Sequence, residues 1–61
     1  MQFYPWIAKT CICLGWPISR GTELVEDPCW FFCYDDGMTP EEAVEEAVSK
    51  GIVKRETTSL N

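Results

Sequence analysis

The sequence predicts a small α+β domain in which one amphipathic helix packs against an antiparallel sheet of three to four strands, in the order β-β-α-β. Residues 40–50 are flanked by the start and stop signals of a helix. Residues 6–14 contain β-branched and aromatic side chains, and residues 29–34 consist of aromatic and cysteine side chains, which favours strands. A length of 61 residues allows a single small domain with one core, and we expect residues 59–61 to form a flexible tail.

The first strand is predicted over residues 6–14, because this run of β-branched and aromatic residues ends at a glycine and a proline. A helix that begins at Pro5 is the competing interpretation of the same run. Residues 17–28 form a connection in which residues 22–26 add a short edge strand. The sheet therefore has three or four strands, depending on this edge.

The second strand is predicted over residues 29–34, and side chains on a strand alternate between its two faces. Trp30, Phe32 and Tyr34 then share one face, and Trp6 of the first strand lies nearby. Both faces of the sheet are largely apolar, whereas a single helix can cover only one of them. The other face must be buried by the chain's own loop, which contains a tryptophan and a leucine, or by another chain.

The helix has the best-defined ends in the sequence. Thr39 is the predicted N-cap, Pro40 occupies the first helical position, and Glu42 completes a capping box with Thr39. Gly51 fits the left-handed position that ends a helix. The buried face consists of small residues at helical spacing, Ala43, Val44, Ala47 and Val48. A last strand is predicted after the helix, over residues 52–58.

The four cysteines occur as a C-x-C pair and a C-x3-C pair, Cys11 with Cys13 and Cys29 with Cys33. Three states remain open: reduced thiols in the core, disulfides, or a zinc ion bound by all four sulfurs. The zinc site requires residues 29–33 to turn or coil, because the ends of an extended strand of this length are about 13 Å apart. A cytoplasmic location, which we expect since no signal or membrane segment is present, favours reduced thiols.

The charge and composition exclude several functions. Ten acidic residues against five basic ones give a net charge of -5, without the basic cluster that direct nucleic-acid binding requires. The chain contains no histidine, and its serines have no recognisable activating neighbours. The adjacent Asp35 and Asp36 precede a glycine and are typical of a turn. We therefore expect neither an enzyme nor a membrane protein.

The surplus of aromatic residues predicts a protein-binding module, whose partner is another protein or a second copy of the chain. The predicted contact residues are Trp6, Trp30, Phe32 and Tyr34, together with the acidic residues Glu41, Glu45 and Glu46. By analogy of size and charge, such a module could inhibit a larger nucleic-acid-handling enzyme, as small viral or mobile-element proteins do. The alternative function is a structural or regulatory domain stapled by zinc, with no other cofactor expected.

Overall fold

The computed structural model describes residues 2–55, and this part of the chain is helical. Four α-helices and one 3-10 turn follow each other along the chain: α1 (Phe3–Leu14), the 3-10 turn (Ile18–Arg20), α2 (Gly21–Val25), α3 (Pro28–Asp35) and α4 (Pro40–Ser49). None of the described residues forms a strand. The predicted α+β class and its antiparallel sheet are therefore wrong, and the domain is a small all-helical one.

The predicted first strand lies within α1, which confirms the competing helical interpretation, although the helix begins at Phe3 and not at Pro5. Proline is tolerated here because the first turn of a helix has no acceptor for its N–H groups. The buried residues of α1 follow helical spacing: Trp6, Ile7, Thr10, Cys11 and Leu14. The hydroxyl of Thr10 donates to the carbonyl of Trp6 at 2.8 Å, so this buried polar group is satisfied within the helix.

The other predicted strands are also wrong or lie partly outside the described residues. Residues 29–34 belong to α3, and residues 22–26 belong to α2 and its C-cap. Residues 52–55 form no regular element, and the remainder of the predicted last strand lies outside the described residues. The predicted tail, 59–61, also lies outside them.

Helix α3 has end signals that override the strand preference of its interior. The carboxylate of Asp27 accepts from the N–H of Cys29 at 3.0 Å, and Pro28 occupies the first turn. After the helix, Gly37 has a φ of 84°, a left-handed conformation that residues with a Cβ rarely adopt. An N-cap, a proline and a terminating glycine thus define eight aromatic-rich residues as a helix.

Helix α4 confirms the sequence prediction. The hydroxyl of Thr39 accepts from the N–H of Glu42 at 3.1 Å, and the carboxylate of Glu42 accepts from the N–H of Thr39 at 3.0 Å. These two hydrogen bonds form the predicted capping box. The helix ends at Ser49, one residue earlier than predicted, and Gly51 has the expected left-handed φ, 76°.

The core lies where α1 packs against α4, with α2 and α3 closing its sides. Its buried hydrophobic residues are Trp6, Ile7, Cys11, Leu14, Leu24, Trp30, Ala43, Val44 and Ala47. The small residues of α4 lie against the larger ones of α1 and α3, as the narrow apolar face of α4 predicts. The indole N–H of Trp6 donates to the carbonyl of Met38 at 2.9 Å and thereby ties α1 to the start of α4.

Candidate protein-binding site

Five aromatic residues form a cluster where the first turn of α1 meets α3. We call this cluster the aromatic patch; it consists of Phe3, Tyr4, Phe31, Phe32 and Tyr34. The ring of Phe3 lies at the centre, with its centroid 5.3 Å from that of Phe31 and 5.1 Å from that of Tyr34. These separations and the tilted ring planes are those of favourable aromatic pairs.

The aromatic patch rests on a buried floor. The ring of Trp6 stacks against Phe3 at 6.4 Å and meets Tyr34 edge-on at 5.8 Å. Trp6 itself is only 3% exposed and is held by its hydrogen bond to Met38. Phe3 and Tyr34 are half-buried against this floor. Packing on Trp6 and the hydrogen bond of Trp6 therefore hold the rings of the patch in place. Side chains that are already ordered lose less conformational entropy when a partner binds.

Three rings of the patch project into solvent. Tyr4 is 71% exposed, Phe32 63% and Phe31 45%. Isolated exposed hydrophobic residues are ordinary, whereas neighbouring aromatic rings that share one surface are typical of interaction sites. Aromatic side chains also supply much of the binding energy in protein interfaces.

An apolar groove between α1 and α2 extends this surface beyond Tyr4. The groove encloses about 420 Å³ and is lined by Tyr4, Ile7, Ala8, Ile18, Gly21, Thr22, Val25 and Glu26. Ile18, on its far side, is 60% exposed. Because Tyr4 belongs to both features, the exposed apolar surface continues from α3 across the start of α1 to the 3-10 turn.

The structure separates the four predicted aromatic contact residues. Phe32 and Tyr34 belong to the aromatic patch, whereas Trp6 and Trp30 are each only 3% exposed and belong to the core. The predicted shared face of Trp30, Phe32 and Tyr34 does not exist, because residues two apart point about 200° apart on a helix. Trp30 is buried, Tyr34 is half-buried against Trp6, and Phe32 faces solvent.

Sequence reasoning missed Phe3, Tyr4 and Phe31 as members of the site. Helical periodicity in residues 3–14 was the available signal, since it places Trp6 in the core and leaves Tyr4 outside. No sequence signal placed the first turn of α1 beside α3. That contact depends on how the helices pack.

The predicted acidic contact residues Glu41, Glu45 and Glu46 are exposed on α4. Glu46 pairs with Lys50 at 2.9 Å, and no ion pair within residues 2–55 involves Glu41 or Glu45. Met38 connects this acidic surface to the aromatic side of the domain. It lines one shallow depression together with Trp6 and Tyr34 and a second one together with Glu42, Glu45 and Glu46.

The four cysteines lie in different surroundings and form no disulfide. Cys11 is buried, Cys13 and Cys33 are half-buried, and Cys29 is exposed. Burial raises the pKa of the Cys11, Cys13 and Cys33 thiols above its ordinary value. Within residues 2–55, no group of three or more histidine, cysteine, aspartate or glutamate residues could hold a metal ion. The four-cysteine zinc site stays a prediction that no observed cluster supports.

No known protein family, curated protein or solved structure matches the chain. The longest of the described helices, α1, has 12 residues, and none of these helices combines the length and the apolarity needed to cross a bilayer. The surface chemistry of the described residues is therefore the basis for a functional proposal.

Proposed function

We propose that the chain is a small acidic protein-binding module that recognises a partner protein through the aromatic patch. The observation behind this proposal is the group of three exposed rings, those of Tyr4, Phe31 and Phe32, on a floor fixed by Trp6. The partner chemistry that fits is an apolar groove bordered by lysine and arginine side chains. Catalysis has no part in this function.

The area of the patch is adequate for the centre of an interface. A buried aromatic side chain covers about 150–250 Å². Three rings that are about half exposed therefore leave on the order of 300 Å² for a partner. This is the size of the apolar patches that serve as binding sites on small proteins, and the polar surroundings would complete a standard interface of roughly 800 Å² per side.

The charge favours a basic partner over a second copy of the chain. Asp35 and Asp36 are exposed and directly follow the aromatic residues of α3, and Glu41 and Glu45 add further negative charge on α4. Two copies with a net charge of -5 each would repel one another, whereas a basic groove would be attracted. Self-association is therefore the second possibility for the partner.

A narrower form of the proposal is inhibition of a nucleic-acid-handling enzyme of viral or mobile-element origin in the cytoplasm. Grooves that bind nucleic acid are basic, and an acidic module can occupy them. The row of exposed glutamates on α4 and the four unpaired thiols are consistent with this form. Its specific consequence is that partner binding and nucleic-acid binding compete.

Affinity capture from the native host, followed by calorimetry with the purified partner, tests the proposal. The variant Phe32→Ser removes an exposed ring of the patch. Ile12→Ser is the matched control, because Ile12 is 65% exposed and has no place in the patch. We expect Phe32→Ser to weaken binding by about tenfold or more and Ile12→Ser to leave it unchanged.

Salt and sedimentation measurements identify the kind of partner. We expect association with the purified partner to slow as the salt concentration rises, because charge attraction is screened. The free chain should sediment as a monomer at high concentration. Equal binding by wild type and Phe32→Ser would refute the patch as the binding site, and a dimer abolished by Phe32→Ser would identify a second copy as the partner.

A further inference from the structure

Cys29 and Cys33 lie four residues apart on α3 and both line one cleft between α3 and α4. The cleft holds about 120 Å³ and opens to solvent beside Cys29, which is exposed. Its other lining residues are mostly apolar, and three of the six belong to α4: Trp30, Ala43, Glu46, Ala47, Lys50 and Ile52. Two thiols thus meet in a small, largely apolar space beside a single ammonium group.

The helix sets the separation of the two thiols. Residues four apart on a helix have Cβ atoms about 5–6 Å apart on the same side. Two metal–sulfur bonds of about 2.3 Å in line span roughly 4.6 Å, a sulfur separation that this pair can reach by side-chain rotation. The Asp27 cap and Pro28 fix the first turn of α3, so the Cys29 backbone is held in place.

We propose that Cys29 and Cys33 form a two-thiolate binding site for a soft monovalent cation, for which Cu(I) is the chemical match. Soft thiolate ligands favour Cu(I), and this ion accepts two ligands in line. A structural zinc site takes four ligands, whereas the described residues contain no group of three or more histidine, cysteine, aspartate or glutamate side chains that could hold a metal ion. The cleft therefore suits an ion that two sulfurs satisfy.

Binding changes protonation but involves no oxidation or reduction. Each thiol loses one proton to the buffer, and one Cu(I) joins the two thiolates, so the charge of the pair and the ion changes from +1 to -1. Lys50 lines the cleft and offsets part of this negative charge. The Glu46 carboxylate, which also lines the cleft, lies 2.9 Å from the Lys50 ammonium. The apolar lining of the cleft limits the access of water to the bound ion.

The affinity should rise with pH, because two protons must leave. The charged groups beside the pair are Glu46 and Lys50, which line the same cleft, and Asp36. A higher proton concentration opposes the release of the two thiol protons, so ion binding should weaken as the pH falls.

Competition with a chromogenic Cu(I) chelator in oxygen-free buffer tests the proposal on the full chain. The double variant Cys29→Ser/Cys33→Ser removes the site. Cys13→Ser is the control, because it removes a half-buried thiol that lies on α1 outside the cleft. We expect wild type and the control to withdraw one Cu(I) per chain from the chelator and the site variant to withdraw none.

Three further measurements test the proposal: the fold of the variants, the oligomeric state of the copper-bound chain, and the affinity of a Lys50 variant. Circular dichroism of Cys29→Ser/Cys33→Ser and of the control Cys13→Ser should match that of wild type, and the copper-bound chain should remain a monomer. Lys50→Met should weaken Cu(I) binding severalfold without abolishing it. Uptake by the site variant, uptake that requires two chains per ion, or no uptake by wild type at any chelator ratio would overturn the proposal.

Discussion

Helices α3 and α4 have the same end signals but opposite interiors. Each begins with a side-chain N-cap followed by proline, and each is followed by a glycine with positive φ, Gly37 or Gly51. The interior of α4 alternates alanine and valine with glutamate, whereas that of α3 is almost entirely aromatic and cysteine. Both segments are nevertheless helical. The end signals thus determined the type of structure, and the interior determined only which surface each helix presents.

The two interiors lead to different surfaces because a helix buries only part of its circumference. In α4 the small residues face the core and the glutamates face water, so the polar face needs no partner. In α3 only Trp30 is fully buried, and Phe31 and Phe32 are left exposed. A helix that is apolar all round is usually buried, so the exposed side of α3 is where we place partner binding.

The largest effect should come from removing the single fully buried side chain of α3. Trp30→Ala should lower the free energy of unfolding by about 3–5 kcal/mol, because it deletes a large core side chain. Phe32→Ala in the same helix should change it by less than about 0.5 kcal/mol, because Phe32 faces solvent. Urea unfolding followed by circular dichroism measures both values, and similar losses for the two variants would contradict the assignment of faces.

An intermediate effect should come from the two N-caps. Asp27→Ala and Thr39→Ala should each lower the free energy of unfolding by about 1 kcal/mol, since each removes an acceptor for a backbone N–H. The loss should be larger for Thr39, because its cap belongs to a capping box in which the Glu42 carboxylate also accepts from the N–H of Thr39.

Conservative replacements provide the controls for the caps. Asp27→Asn and Thr39→Ser keep an oxygen acceptor and should restore most of the stability. If the urea midpoint of Asp27→Ala equals that of wild type, the N-cap does not stabilise α3. The end signals that α3 shares with α4 would then not explain why α3 is helical.

The smallest effect should come from the ion pair between Glu46 and Lys50 at the end of α4. Among the described residues, α3 has no such pair. The hydrogen bond to Glu46 raises the pKa of Lys50. Because the pKa of Lys50 is raised, the pair stabilises the fold fully below the ordinary lysine pKa. Its contribution is lost as the pH rises through the pKa that Lys50 has in the folded protein. Wild type should therefore be slightly more stable than Lys50→Met at neutral pH, and the difference should vanish at strongly alkaline pH.

Urea midpoints of the two proteins measured side by side from about pH 7 to about pH 12 test this prediction. The comparison cancels the titration of Cys11 and Cys13 but not that of Cys33, because Lys50 lowers the pKa of the Cys33 thiol and its removal changes that titration. A difference that grows with pH would show that Lys50 acts by something other than its charge.

The sequence allowed α4 to be predicted to within one residue because every signal agreed there: cap, proline, amphipathic interior and glycine. The same start and stop signals were present around α3, but its aromatic and cysteine composition favoured a strand, and that interpretation was wrong. For α1, the spacing of Trp6, Thr10 and Leu14 was the helical signal. The interior preferences were weak compared with the end signals and with burial in the core.

The candidate site was predictable only in part. Phe32 and Tyr34 were predicted as contact residues on the face of a strand. That strand does not form, and both residues belong to the aromatic patch as part of helix α3. Trp6 and Trp30 were expected beside them but lie in the core. The reason is that side chains alternate between two faces on a strand, whereas on a helix each residue is rotated by about 100° from the one before, so the two structures bring different residues to the same face. The contact of Phe3 with Phe31 joins residues far apart in the chain, which no local pattern encodes.

The sequence by itself determined the bounds of α4 to within one residue, the negative charge, and the surplus of apolar side chains over what one small core can bury. These properties depend on backbone hydrogen bonds and composition within a few residues of each position. Only the tertiary structure decided which aromatic rings remain in water and which two thiols share a cleft. Those outcomes depend on the packing of α1 and α4 against α3, where the core has room for Trp30 and leaves Phe32 outside.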